Sequence, residues 1–314
     1  MRIIDCKRIR EDMLKEAREK IASIPKNLKL AIVQVGNDPA SEVYIRNKIK
    51  TADIVGIDTE LFTYPDDIEV ESLKRELLYL SCDGDYTGII LQLPLPDQLK
   101  PYERELLDLI PYYKDVDGLS SESVGRLWSD KPCITPATPT GLLRLLPEDL
   151  SGKDVVIVNR SNLIGKPLIK MLLDRNATVE VCHSKTDYLS VHTCSAEIVI
   201  TGIGKAEYFD ELFISSNQIW IDCGINRNEN GELCGDVDID YIETFGVSIT
   251  PVPGGVGILT TAQLMLNVIK AYELPITVAD SMKELADELK IYAETHNLTI
   301  DELLLLIEER LGGR

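Results

Sequence analysis

Asp154-Val155-Val156-Ile157-Val158-Asn159-Arg160-Ser161-Asn162-Leu163-Ile164-Gly165-Lys166-Pro167 reads as a strand, a turn and the start of a helix. Four consecutive β-branched apolar residues, Val155 to Val158, suit a strand covered on both faces. Pro167 suits a helix's first turn, where its missing N–H costs nothing. The helix is predicted over 167–173. Further strands are predicted over 177–182, 197–203 and 218–225, and a helix over about 261–272. This alternation is a doubly wound, nucleotide-binding α/β pattern.

In such a sheet the first strand-to-helix turn aims backbone N–H groups at a pyrophosphate. The usual G-x-G-x-x-G is absent: Asn159 stands at the first expected glycine, and Gly165 closes the turn. The next strand should carry a ribose-binding acid roughly 20 residues on, but it runs into His183-Ser184-Lys185. No carboxylate stands there to repel a 2′-phosphate, and Arg160, Ser184 and Lys185 can donate to one. NADP is therefore favoured over NAD. On spacing alone, a generic βα turn with solvated charges is the plain alternative.

Upstream the same alternation recurs. Helices are predicted over 12–24, 39–55, 69–80 and 102–107, and strands over 28–35, 60–64 and 87–93. Gly36-Asn37-Asp38-Pro39 opens the second helix and Gly56 stops it. On that helix Tyr44 and Lys48 are four residues apart and share a face, an aromatic platform beside a cation. Gln92 ends a buried strand, where parallel sheets face ligand crevices. Asp115 and Asp117 lie in the charged loop Lys114-Asp115-Val116-Asp117-Gly118. The glycines of Pro253-Gly254-Gly255-Val256-Gly257 let backbone approach a flat ligand closely. In isolation each of these also fits a surface pair, a locally satisfied amide or an ordinary turn. The prolines of 132–139 suggest an interdomain linker. Beyond Pro275, helices are expected over 280–294 and 300–311, the last with the capping box Thr299-Ile300-Asp301-Glu302. They are expected to pack on the body or on each other.

The 314 residues allow about two domains. A net charge of −19 argues against a nucleic-acid partner, since phosphates would be repelled. Seven cysteines, irregularly spaced and without a CxxC, form neither a disulfide framework nor metal-ligand spacing, so no metal is expected and a reducing cytoplasm is the simplest setting. The start lacks a signal-peptide apolar region, and no apolar run approaches a membrane span.

Together these stretches resemble the bifunctional methylenetetrahydrofolate dehydrogenase/methenyltetrahydrofolate cyclohydrolase family, often called FolD. The ordered pieces are Tyr44-x-x-x-Lys48, Leu91-Gln92-Leu93-Pro94-Leu95-Pro96, Lys114-Asp115-Val116-Asp117-Gly118, Arg160-Ser161 with Gly165-Lys166-Pro167, Ala177-Thr178-Val179 with His183-Ser184, Gly235-Asp236-Val237, and Thr250 through Gly257. The resemblance implies NADP-dependent oxidation of 5,10-methylene-tetrahydrofolate to the 5,10-methenyl cation, then hydrolysis to 10-formyl-tetrahydrofolate. It makes Lys48 the central catalytic residue, Tyr44 a stacking platform, Gln92 a partner of Lys48 and Asp117 a pterin ligand. Leu91, Leu93, Pro253, Gly254, Gly255 and Gly257 would line the folate pocket. Asn159, Arg160, Ser161, Gly165, Ser184, Lys185 and Ile225 would meet the cofactor. A charged lysine beside the methenyl cation would be repelled, which favours the neutral amine as a base.

The resemblance also implies a homodimer through the second domain. The domains are expected as 1–138 for folate, completed by the helix at about 261–274, then 139–260 for NADP and 275–314 as a helical extension. Four positions depart from the family pattern: Asn159 for glycine, Ala137 for cysteine, Ile258-Leu259 for Pro-Met, and Ser123 for asparagine. A single-activity relative, a shikimate-type dehydrogenase and a non-catalytic folate- or nucleotide-binding relative are the alternatives. Retention of Lys48 speaks against the last.

Overall fold

The computed structural model describes residues 1–242, 245–274, 278–295 and 298–299. In chain order the elements are β1 (Arg2–Ile3), α1 (Cys6–Ala22), β2 (Lys29–Val35), α2 (Pro39–Val55), β3 (Asp58–Tyr64), α3 (Val70–Cys82), β4 (Gly88–Leu91), α4 (Glu103–Leu107), α5 (Ser121–Trp128) and α6 (Ala137–Leu143). There follow β5 (Asp154–Val158), α7 (Gly165–Leu173), β6 (Thr178–Cys182), α8 (Leu189–Ser195), β7 (Ile198–Thr201), β8 (Ile219–Asp222), β9 (Asn226–Arg227), β10 (Leu233–Cys234), α9 (Ile239–Ile242), β11 (Ser248–Ile249), α10 (Val256–Glu273) and α11 (Val278–Thr295).

The first half is a parallel sheet ordered β3-β2-β4. Along β2, Leu30 and Ile32 enter one core while Ala31, Val33 and Val35 enter another. The period of two thus buries both faces, as a parallel sheet wrapped by helices requires. The second half is a six-stranded parallel sheet ordered β1-β11-β8-β7-β5-β6. After β5 the chain goes to β6 on one side and then to β7 on the other. The direction reverses there, so the carboxyl ends of β5 and β7 flank the topological switch point where such sheets bind ligands.

The two halves exchange segments. Residues 2–3 pair with β11 at the edge of the second sheet. Conversely, α10 leaves the second half and places Leu264, Met265, Val268 and Ile269 in the core shared with α1, α2 and β2.

Sequence signals set most boundaries. Asp38 accepts the Ser41 amide at 2.8 Å and caps α2, Pro39 fills its first position, and Gly56 ends it at φ +86°. Some expectations shift. The first helix begins at Cys6 rather than residue 12, because Asp5 caps it and the charged run from Lys7 to Glu11 hides its first turns from an apolar count. The segment 132–139 is not all linker: Pro136 caps α6, which packs against α10. The strand expected over 218–225 stops at Asp222, whose carboxylate captures the Gly224 amide at 2.7 Å and turns the chain. The first expected C-terminal helix is α11, packed on α3. The second, over 300–311, lies outside the described residues.

Candidate active site in the interdomain cleft

Lys48 leaves α2 toward the carboxyl end of β4. Its Nζ donates to Gln92 Oε1 at 3.0 Å and lies 3.7 Å from Asp117 Oδ2. The Gln92 amide is pinned, because its Nε2 donates to the Leu93 carbonyl at 2.6 Å and leaves Oε1 for the lysine. Only 11% of the Lys48 side chain and 23% of the Asp117 side chain remain exposed. The ammonium therefore has few water partners and depends on these two groups. Tyr44, one turn before Lys48, is 40% exposed, and burial of its hydroxyl raises its pKa, keeping it a neutral phenol.

The two loop aspartates have different tasks. Asp115 is buried and accepts from the Gly118 amide at 2.9 Å, the Ser120 amide at 2.8 Å and the Ser123 hydroxyl at 2.7 Å. Burial raises its pKa, and these hydrogen bonds oppose the rise. It fixes the loop that presents Asp117 to Lys48. Gly118 sits at φ +67°, and a Cβ there would lie 2.8 Å from the Pro136 nitrogen, so only glycine lets this loop reach the 134–136 segment. Ser123, where the family pattern has asparagine, thus serves the loop and not the cleft.

Opposite this wall stand Ile225, Gly257 and Ile164. The enclosed space is a cavity of about 370 Å³ that Leu91, Gln92 and Leu93 also line. A second cavity of about 810 Å³ opens outward, with Pro253, Gly254 and Gly255 on its wall. Both are lined by Tyr44, Cys223, Ile225, Val256, Gly257 and Thr261, so they form one cleft with Tyr44 at the junction.

The nucleotide turn is built differently. Asn159 Oδ1 accepts from the Ser161 amide at 2.8 Å and the Gly165 amide at 3.1 Å, while Nδ2 donates to the Gly202 carbonyl. One carboxamide thereby ties the end of β5 to the start of α7 and bridges to the loop after β7, across the switch point. Asn159 does not need the left-handed backbone region that its residue type tolerates: among the described non-glycine residues, positive φ occurs at Asp130, Asn176, Tyr188, Glu207 and Asn217. A Cβ on Gly165 would lie 2.3 Å from the Asn159 carbonyl oxygen, so the turn closes only over glycine. Ser161 Oγ accepts the Ile164 amide at 3.1 Å.

The register Val158↔Cys182 sets the loop of Ser184 and Lys185 beside Arg160, and all three are exposed. Of the seven residues expected at the cofactor, Ile225 lines both cavities. Asn159, Arg160, Ser161, Gly165, Ser184 and Lys185 line neither.

Two contributors escaped the sequence reading. Cys223 lines both cavities directly after β8, and burial, with Asp222 and Asp236 nearby, raises its thiol well above the ordinary value. Its place at a parallel strand's carboxyl end was the available signal. Asn267 Nδ2 donates to the carbonyls of Val116 at 2.8 Å and Thr135 at 2.9 Å, clamping the Asp117 loop to α10. A lone amide between Leu266 and Val268 on an apolar helix needs such a partner.

A sequence model of the tetrahydrofolate dehydrogenase/cyclohydrolase catalytic domain matches residues 4–117, and one of the same family's NAD(P)-binding domain matches residues 134–275. The chain belongs to this family. It is 41% identical over 275 residues to the bifunctional protein FolD of Agathobacter rectalis, covering 86% of this chain and 98% of that one. The crystal structure of the bifunctional enzyme FolD from Campylobacter jejuni superposes with a TM-score of 0.82 at 36% identity, covering 86% of this chain and 97% of that chain. The FolD of Trypanosoma brucei, solved with NADP cofactor and an inhibitor, superposes with a TM-score of 0.79 at 28% identity, covering 86% and 97%. The catalytic model covers β2, α2 and β4, and the nucleotide model covers the whole β5-to-β8 unit. Helix α11 lies beyond both.

Proposed function

We propose that this family member oxidises 5,10-methylene-tetrahydrofolate with NADP⁺ and hydrolyses the resulting 5,10-methenyl cation to 10-formyl-tetrahydrofolate. The carrying observation is the Lys48–Gln92–Asp117 cluster at the floor of the cleft, with Tyr44 on one side and the nucleotide-binding half opposite. In this reading Tyr44 stacks on the folate and Asp117 holds the pterin. Leu91, Leu93 and the 253–257 loop shape the pocket.

The turn at Asn159 to Gly165 fits a dinucleotide, since Gly165 closes it to backbone distance and residues 183–186 hold no carboxylate. Arg160, Ser161, Ser184 and Lys185 would hold the phosphates and Ile225 the nicotinamide side, with NADP preferred over NAD. When bound, NADP⁺ takes up the hydride leaving the methylene carbon. Apart from closing the cleft and aligning the two rings, the chain needs to do little in that step. Hydrolysis asks more of it. A water oxygen adds to the methenyl carbon and loses both its protons on the way to the formyl carbonyl: the bond from that carbon to N5 breaks, one proton ends on N5 and the other leaves to solvent. Lys48 Nζ, aimed by Gln92 Oε1, moves these protons.

We assign residues 1–138, completed by about 261–274 of the chain, to the folate side, 139–260 to the nucleotide side and 275–314 to the extension. A cytoplasmic setting is supported by seven cysteines that are all free thiols. A homodimer through the second half is supported by Tyr188, Val191 and Leu212, which stand exposed on and beside α8. Light scattering tests that association.

The function is tested by following methenyl formation and decay spectroscopically in wild type and Lys48→Met. Wild type should form the methenyl product with NADP⁺, and the variant should lose at least about 100-fold in methenyl hydrolysis. No NADP⁺-dependent formation by wild type would defeat the dehydrogenase reading. Unchanged methenyl decay in the variant would remove Lys48 from its role.

A further inference from the structure

Glu180 and Cys182 stand two residues apart on β6, so both side chains leave the same face of the strand. Helix α8 follows and brings His192, in its last turn, to them. One carboxylate, one thiol and one imidazole thereby converge, with their ligand atoms all within 4.8 Å of one another. The imidazole Nδ1 meets Glu180 Oε1 at 2.6 Å. Among the described residues no other three such side chains converge in this way. The lack of a CxxC spoke against a metal, but that count sees only cysteines close together in the chain. This trio mixes residue types and is assembled by the fold.

The trio is graded from inside to outside. Cys182 is 1% exposed and belongs to the core of the second half. The His192 and Glu180 side chains are 32% and 48% exposed, so an ion can arrive from solvent on their side. None of the three lines either cleft cavity, and the reaction centre does not account for them. Thr186 hydrogen-bonds the Cys182 thiol, and its Oγ1 accepts the His183 amide at 2.9 Å, which steadies the sulfur as outer partners of metal ligands do. Burial, and next the Glu180 carboxylate, push the thiol up to about 11. A divalent charge between sulfur and carboxylate opposes both causes. Sulfur, imidazole nitrogen and one carboxylate oxygen suit a borderline-soft ion, whereas magnesium and calcium take oxygen ligands. Around one zinc such atoms sit roughly 3.3–3.6 Å apart, a spacing that rotation of the two exposed side chains reaches from the present one.

We propose that Glu180, Cys182 and His192 bind a divalent, borderline-soft ion of the zinc class, which clamps α8 to β6 and keeps a fourth position for water. The thiol proton leaves to solvent as the ion binds, and the imidazole coordinates in its neutral form. The three ligands are gathered only in the folded chain, so occupancy adds to stability. The site is independent of the folate reading, because it shares no residue with the cleft.

The test titrates the full chain with cobalt(II), a spectroscopic stand-in for zinc, in a non-thiol reductant. The proteins are wild type, Cys182→Ser, His192→Gln, Glu180→Gln and Cys194→Ser. Wild type should bind one cobalt with a thiolate-to-metal charge-transfer band in the near ultraviolet, and zinc should displace it. Cys182→Ser should lose the band. Cys194→Ser, which removes a thiol of the same helix outside the trio, should keep it. His192→Gln and Glu180→Gln change partly exposed side chains, so the fold should survive, and each should weaken binding at least about tenfold. Zinc should raise the urea midpoint of wild type and leave that of His192→Gln where it was. No stoichiometric binding by wild type overturns the proposal. So does a band that survives Cys182→Ser, since another thiol then holds the ion, or an affinity indifferent to His192→Gln. If Cys182→Ser does not fold, His192→Gln decides alone. Zinc binding that leaves the wild-type midpoint unmoved overturns the clamp.

Discussion

The two walls of the cleft are made in opposite ways. On the folate side the site consists of side chains standing on regular elements: Tyr44 and Lys48 one turn apart on α2, and Gln92 just past the end of β4. On the nucleotide side it is a backbone turn, and its one conspicuous side chain, Asn159, points inward to hold that turn together. A site of the first kind is robust in its fold and sensitive in its chemistry. A site of the second kind is the reverse, because changing a residue there alters the shape presented to the ligand before it removes a reacting group.

The largest effect should come from the first wall. Lys48→Met is expected to cost about 3–5 kcal/mol in the barrier to methenyl hydrolysis, with little loss of stability. A variant whose urea midpoint falls sharply while its methenyl hydrolysis stays near the wild-type rate would break the contrast.

The next effect belongs to the second wall and depends on pH. Burial pushes the Asp222 carboxyl up to about 6 from 3.8, against the pull of the Val237 amide and its neighbours. Its ionisation is therefore harder in the folded chain than in the unfolded one. The corresponding stability is fully present below about pH 4 and is lost as pH rises through about 6, amounting to about 3 kcal/mol. In Asp222→Asn this dependence vanishes, apart from a constant offset for the lost acceptor. Denaturation at a series of pH values should show the stability difference moving in the variant's favour across that window. A flat difference would place the carboxyl at its ordinary value.

Gly165→Ala should destabilise by about 1–3 kcal/mol, read as a lower urea midpoint, because the new methyl meets the Asn159 carbonyl. The smallest effect is expected for Asn159→Gly. It frees the Ser161 and Gly165 amides for phosphate but removes the bridge to Gly202. NADP⁺ should bind a few-fold more tightly, by fluorescence titration, while stability falls by about 1 kcal/mol. Weaker binding would mean that the carboxamide's bracing of the turn outweighs the donors it occupies.

The same contrast governs what could be read from the chain. The alternation of strands and helices, the caps of α2 and the Tyr44/Lys48 spacing are local and periodic, and they were legible. The meeting of Lys48 with Gln92 came only from the ordered resemblance, and its approach to Asp117 was not foreseen, since residues 44 and 69 positions apart have no local signal of contact. Asn159 read only as a departure at an expected glycine, whereas its side chain turns into the backbone, an outcome decided by the unsatisfied amides around it. The run at 132–139 read as linker because prolines dominate it, although proline is tolerated in a helix's first turn and α6 begins there.

The exchange of β1 and α10 between the halves also constrains how the chain reaches its shape during synthesis. Residues 2–3 leave the ribosome well before their strand partner, 248–249, is made. The first sheet likewise waits for α10 to fill its core. Contacts this distant in sequence are slow to close. Neither half can finish folding before the other exists, so a nascent chain interrupted before residue 256 would hold a folate wall with an open, apolar flank and would be a natural client for chaperones.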